Sequence, residues 1–258
     1  MARMKWLGDH NLLLTAMSLT CLGLPAASAA QASSFQLELE GGSVWQSRND
    51  VEIPNDGSAT RFSLSDLIGK GAWPAGRAYL TWRFSETQAV QLLYAPLSVT
   101  ATGVLRQATD FAGASYGSGT PVEATYEFNS YRASYLWRFH SGAQSSASVG
   151  FTAKIRDASI RLSQGSVRSK KDDVGFVPLI HVAASRTIGT RWNLALDADA
   201  LGGGPGRAVD ASAKVGYDLG EHWSVRAGYR TVEGGADVES VYNFAWLHYG
   251  AVSIVWRM

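Results

Sequence analysis

From residue 31 onward the sequence contains no cysteine. That excludes disulfide scaffolds, thiolate zinc sites and cysteine nucleophiles together. The one cysteine of the chain, Cys21, lies in an apolar N-terminal stretch, and the Thr20 before it is not the small residue a lipidation signal requires. Beyond that stretch no uncharged apolar run approaches the roughly 20 residues that a membrane helix needs. Charge of one sign is also missing: the formal net charge is +1, so no global field draws nucleic acid. There is no metal-ligand spacing, and the glycine loop Gly202–Gly206 is followed by no helix that could hold a phosphate.

The N-terminus carries an address. Arg3 and Lys5 form a basic start, Leu12–Leu24 an apolar segment, and Ala27-Ser28-Ala29 an A-x-A-like site. This predicts a secretory signal over residues 1–30 and a mature domain over 31–258. A membrane anchor is the weaker reading, because the apolar segment is shorter than a spanning helix.

What is abundant is alternation. Ala78, Leu80, Trp82 and Phe84 alternate with Arg77, Tyr79, Thr81 and Arg83. After the turn Ser85-Glu86-Thr87 the pattern resumes with Val90, Leu92 and Tyr94. Period-two alternation puts successive side chains on opposite faces of a strand. Here the apolar face ends in large aromatics beside a very short turn. A soluble sandwich buries such residues in mid-strand, whereas a transmembrane barrel sets them at the headgroup level.

The same pattern returns along the chain. Phe35, Leu37 and Leu39 open a first strand; Trp192–Ala198, Val209–Tyr217, Trp223–Tyr229 and Phe244–Trp256 continue the series. Two strands need a change of phase to keep their apolar residues outside: Val122–Phe139, through a bulge near Asn129-Ser130, and Val149–Leu162, through a slip near Arg156-Asp157. A slip at Pro96 would likewise carry Leu97 and Val99 to the apolar side. The phase of Phe176–Ile188 is ambiguous. Short connections at Ser85–Thr87, His140–Ser145, Gly189-Thr190 and Gly220–His222 alternate with longer ones at Arg48–Ala75, Gly103–Thr120, Ser163–Gly175 and Glu233–Val241; the connection Gly202–Gly206 is the short exception. Short periplasmic turns and long outer loops are the barrel rule. Trp82, Trp137, Trp192, Trp223 and Trp256 all fall at the short-turn end, as an interfacial belt requires.

The fold predicted is all-β: a transmembrane antiparallel up-and-down β-barrel of ten strands, with eight and twelve as alternatives. Over Phe35–Met258 the sequence resembles Gram-negative outer-membrane β-barrels. Val252-Ser253-Ile254-Val255-Trp256 is similar to the alternating, aromatic-ended last strand of that class, although Arg257-Met258 follow the aromatic. The resemblance implies location in the bacterial outer membrane. It also implies contact with outer-membrane lipid and lipopolysaccharide, and delivery by barrel-assembly machinery. No nucleic-acid partner, cofactor or metal is expected, and no named activity follows.

Catalytic readings are weak. His222-Trp223-Ser224 has the H-x-S spacing of outer-membrane lipid A deacylases, but it sits beside a short turn, so at the wrong rim; a turn histidine beside a belt tryptophan is the better reading. An omptin-like protease needs paired acids and an Asp-His pair at the outer mouth. Asp197 and Asp199 share a face, but the sequence ties no histidine to them, and His181 has no assignable carboxylate. No catalytic residue is assigned, and the balance points away from an enzyme.

The remaining signal is inward charge. Glu127, Arg132, Lys154, Arg156, Asp197, Asp199, Asp210 and Arg230 are predicted to form a luminal network. Small barrels are filled by side chains, so a salt-bridged plug with a structural or passive role is favoured. A small-solute, porin-like conduit and a lipid-modifying enzyme are the alternatives.

Overall fold

The computed structural model describes residues 34–258; the predicted signal segment lies outside the described residues. Its elements, in chain order, are β1 (Ser34–Glu52), β2 (Phe62–Ser63), α1 (Leu64–Leu67), β3 (Gly71–Arg83), β4 (Gln88–Ala95), β5 (Ser98–Val104), β6 (Thr109–Phe111), β7 (Ala114–Tyr116), β8 (Pro121–Ser141), β9 (Ser145–Gln164), β10 (Val167–Ile188), β11 (Trp192–Gly203), β12 (Gly206–Asp218), β13 (Trp223–Val238) and β14 (Val241–Arg257). Neighbours in sequence pair antiparallel around the wall, and β14 closes on β1 from Gln36↔Arg257 to Glu52↔Tyr242. Since β4 and β5 both pair with β8 and occupy one wall position, the barrel has ten. Closure leaves no sheet edge for lipid, where an unpaired backbone group has no water to turn to.

In the membrane-facing half the predicted phases hold. Leu39, Leu80, Leu92, Tyr135, Phe151, Leu196 and Ile254 face outward and exposed, while Glu38, Glu40, Arg77, Arg132, Asp210 and Lys214 are buried inside. The tryptophan rim forms with aromatic neighbours: Trp223 against Trp256 at 6.4 Å, Phe35 against Trp82 at 6.2 Å, Trp192 against Tyr217 at 5.0 Å. Ten residues up β14, Trp246 begins a second aromatic group with His248, Tyr229 and Trp45. Ten strand residues tilted by about 40° rise roughly 25 Å, the height of an outer-membrane apolar band.

Above that band the strands continue and the pattern inverts. The three phase changes expected at Pro96, Asn129-Ser130 and Arg156-Asp157 are absent. The β8–β9 register runs unbroken from Glu123↔Ser163 to Arg138↔Ser148. Consequently Val122, Ala124, Tyr126, Ile160, Leu162, Leu97 and Val99 are buried inside, in an apolar core with Val44, Val51 and Leu247. Glu123 and Arg161 face out. The cause is the change of solvent: once a strand leaves hydrocarbon, its outer face meets water and its inner face needs a core.

Two long outer loops are therefore strands. The segment expected as a loop at Ser163–Gly175 belongs to β9 and β10, joined by a tight turn with Gly165 at φ 59°. The segment Glu233–Val241 lies mostly in β13. The first two outer loops do fold over the mouth. Leu64, Leu67 and Ile68 from α1 and its C-terminal end, and Phe111 and Tyr116 from the β6–β7 hairpin, join the outer core. Gly103 is needed for this, because a Cβ there would lie 1.7 Å from the Leu67 carbonyl oxygen.

Candidate functional site: an ion-paired layer between two luminal cavities

The interior of the membrane band is built from alternate residues of β1, β3, β8 and β10–β13, brought to one level by the register. Asp210 on β12 is its centre. Its Oδ2 accepts from Arg132 Nη2 at 2.5 Å and Arg77 Nη1 at 3.1 Å, and its Oδ1 from Arg230 Nη1 at 2.6 Å. Arg132 also donates from Nη1 to Asp199 Oδ2 at 2.7 Å and from Nε to Ser130 Oγ at 3.0 Å. Asp199 accepts in addition from Thr152 Oγ1 at 2.6 Å and lies 3.0 Å from His181 Nδ1.

A second cluster adjoins the first. Lys214 bridges Glu38, at 2.6 Å, and Glu40, and Arg226 reaches Glu38 at 2.8 Å. Glu40 links the clusters through Arg77 at 3.7 Å and Arg230 at 3.6 Å. Almost all these groups are buried, so each carboxylate must be paired to be tolerated there.

The eight residues predicted for the network separate into three sets. Arg132, Asp199, Asp210 and Arg230 come together in this layer, with Asp197 at its edge, 3.3 Å from His181 Nε2. Lys154 and Arg156 face inward one level higher; Arg156 pairs with Asp173, and Lys154 stands over the Phe128 ring at 4.9 Å. Glu127 is a correction. With β8 unbulged it lies on the outward phase, where its carboxylate accepts from Ser159 Oγ at 2.6 Å. Sequence reasoning left His181 without a carboxylate partner, and the structure sets it beside Asp199 and Asp197. Its strand was unphased because the residues around it, Val177, Leu179 and Ala183, are apolar on the luminal face as well.

The geometry separates the H-x-S pair. His222 Nδ1 is 3.0 Å from the Arg257 carbonyl oxygen, while Ser224 is fully buried on the inner face, so the two form no dyad. His181, Asp197 and Asp199 bring one ligand atom each within 4.8 Å of one another, enough for a cation by distance alone. Asp199 is already committed to Arg132, Thr152 and His181, and the guanidinium beside it opposes a second positive charge. His181 itself lines neither of the two large cavities, although its neighbour Asp197 lines one of them.

Those cavities lie on either side of the layer. The one at the short-turn end, about 470 Å³, is polar and is walled by Glu38, Lys214, Arg226 and Asp197. The outer one, about 430 Å³, has Arg132, Lys154 and Asp210 at its base and apolar walls above. Glu40, Arg77, Asp199 and His181 line neither.

Comparison with known proteins gives the architecture. The structure is similar to the outer membrane protease OmpT from Escherichia coli, with a TM-score of 0.58 at 8% identity over 87% of this chain and 97% of that one. The transport unit of the autotransporter AIDA-I from Escherichia coli matches with a TM-score of 0.44 at 8% identity, over 90% and 93%. Ail of Yersinia pestis matches with a TM-score of 0.41 at 9% identity, over 87% and 99%. No family model matches the sequence, and no curated protein matches it. The likeness is one of fold.

Proposed function

We propose that this β-barrel stands in the bacterial outer membrane with a plugged lumen, so that its role is structural or passive rather than conductive. The observation that carries this reading is the ion-paired layer of Asp210, Arg132, Arg77 and Asp199 between the two cavities. The groups are joined by direct bonds of 2.5 to 3.1 Å, with no water between the paired atoms, which supports a closed layer. The partners belonging to this reading are outer-membrane lipid and lipopolysaccharide around the band and the assembly machinery that reads the last strand. The exposed aromatics of both belts and the pairing of Val252–Trp256 onto β1 support them.

Planar-bilayer recording tests the plug. Wild type should be electrically silent. Arg132→Ala removes the side chain that joins Asp199 to Asp210 and should open an ion leak. Steady conductance from wild type, with only a change of ion selectivity in Arg132→Ala, would establish a conduit instead.

A further inference from the structure

The barrel wall divides at two places on its outer side, and only one is filled. The first lies between β3 and β5, beyond the last β3–β4 pair, Ala78↔Tyr94. There α1 is inserted, with the Leu67 backbone packed against Gly103. The second lies between β10 and β11. Their ladder runs from Ile188↔Trp192 to Ile180↔Ala200 and stops. Beyond it β10 continues to Val167 paired only with β9, and β11 continues to Gly203 paired only with β12. Pro178, two residues past the last pair, has no N–H to extend a ladder, as expected of a proline at a strand edge. Opposite it are Gly202 and Gly203, which have no side chains to close the gap. Among the described residues no element is inserted here.

Behind this seam lies the outer cavity of about 430 Å³, a volume in the range of small-ligand sites. Tyr126, Phe128, Ile160, Leu179 and Val232 give it apolar walls. Two lysines that line it have no carboxylate partner among the described residues: Lys171, part-exposed and nearer the strand tip, and Lys154, buried at the base. The arginines on either side of Lys154 are paired, Arg132 with Asp199 and Asp210 and Arg156 with Asp173. Lys154, 3% exposed, has no carboxylate partner among the described residues and only the Phe128 face beside it. A buried lysine amine with no acceptor is unsatisfied, and an anionic oxygen beside it would both accept its hydrogen bond and favour its charged form. The seam opens at the upper boundary of the apolar band: Val174 and Phe176, beside it on β10, face outward at 69% and 65% exposed, with Asp172 and Lys170 above them marking the water side.

We propose that the outer cavity binds a single-chain anionic amphiphile, with its carboxylate on Lys154 and its alkyl chain running between β10 and β11 toward the outer leaflet. The apolar walls fit one acyl chain, and the position of the ammonium at the cavity base sets the direction of entry. The site lies on the outer side of the ion-paired layer and does not depend on whether that layer conducts.

The test uses the barrel in phosphatidylcholine vesicles and dodecanoate labelled with carbon-13 at the carboxyl. A protein-dependent NMR resonance should saturate at one dodecanoate per barrel. Lys154→Arg should keep it. Lys154→Met should weaken dodecanoate about tenfold or more, the worth of a charge-assisted hydrogen bond, and leave dodecan-1-ol unaffected. Gly203→Trp leaves Lys154 intact and has open space around its Cβ to fill the gap, so it should abolish both. Heat-shifted gel mobility checks that each variant is folded. Absence of a saturable resonance with wild type, or equal dodecanoate affinity in Lys154→Met or Gly203→Trp, overturns the proposal. Fatty acid extracted from barrels purified without added ligand identifies the membrane as the source; occupancy only after addition identifies the medium.

Discussion

Asp210 shows how much a single side chain decides. Three guanidiniums, from β3, β8 and β13, converge on its two oxygens, so it fixes elements remote from each other in sequence. The Arg207–Glu233 pair is as well made, with Arg207 donating at 2.7 to 3.0 Å, but its arginine is half exposed. Geometry alone would rank the two alike; burial separates them. Removing one partner of a buried pair leaves an uncompensated charge and costs roughly 3–5 kcal/mol, whereas an exposed pair contributes about 0–1 kcal/mol. Asp210→Asn should therefore lower the unfolding free energy in lipid vesicles by several kcal/mol, because it leaves Arg132 with Asp199 alone and Arg77 and Arg230 with only their longer contacts to Glu40. Glu233→Gln should change it by less than about 1 kcal/mol. Equal effects in urea titration would mean that water reaches the layer.

At the scale of the strand, β8 carries the sharpest test of register. Unbulged, it buries Tyr126 in the outer core and turns Glu127 outward. Tyr126→Ala should cost about 3–5 kcal/mol, and Glu127→Ala little; a bulge at Asn129-Ser130 would reverse that order. Outside the band the expectation is set by lipid: Leu196→Arg should cost roughly 2–4 kcal/mol near the midplane, while Arg at Val174, close to the water boundary, should cost about 0–1 kcal/mol. These elements also show what was legible in the sequence. Strand count, luminal phase and the tryptophan rim could be read wherever one rule applied along a strand, as from Ala78 to Phe84. The reading failed where a strand crossed from lipid into water. There Tyr126, Ile160 and Leu162 keep their phase while the meaning of apolar changes from outside to inside, and an observer assuming one solvent must invent a bulge. The layer was half legible: alternation points Arg132 and Asp210 inward, but their meeting across the lumen, and the seat of His181 beside Asp199, depend on closure that no local pattern encodes.

For the whole molecule, the two kinds of strand end fix its orientation. The turns at residues 84–87, 142–144, 189–191 and 219–222 are bare connections beside tryptophans, whereas the opposite end carries tall strands, α1 and the β6–β7 hairpin over an apolar core. In outer-membrane barrels the short turns stand on the periplasmic side and the longer connections outside. The outer end, rich in Lys170, Lys171, Asp172 and Arg168, therefore faces the cell exterior. The scarcity of cysteine makes this directly testable. With Cys21→Ser as background, single cysteines at Asp172 and Ser240 should react with a membrane-impermeant maleimide on intact cells. Cysteines at Glu86 and Gly220 should react only after the outer membrane is permeabilised. Labelling of Glu86→Cys on intact cells, with protection of Asp172→Cys, would invert the molecule. The ion-paired layer would then divide the same two cavities, but the seam beside Pro178 would open toward the inner leaflet.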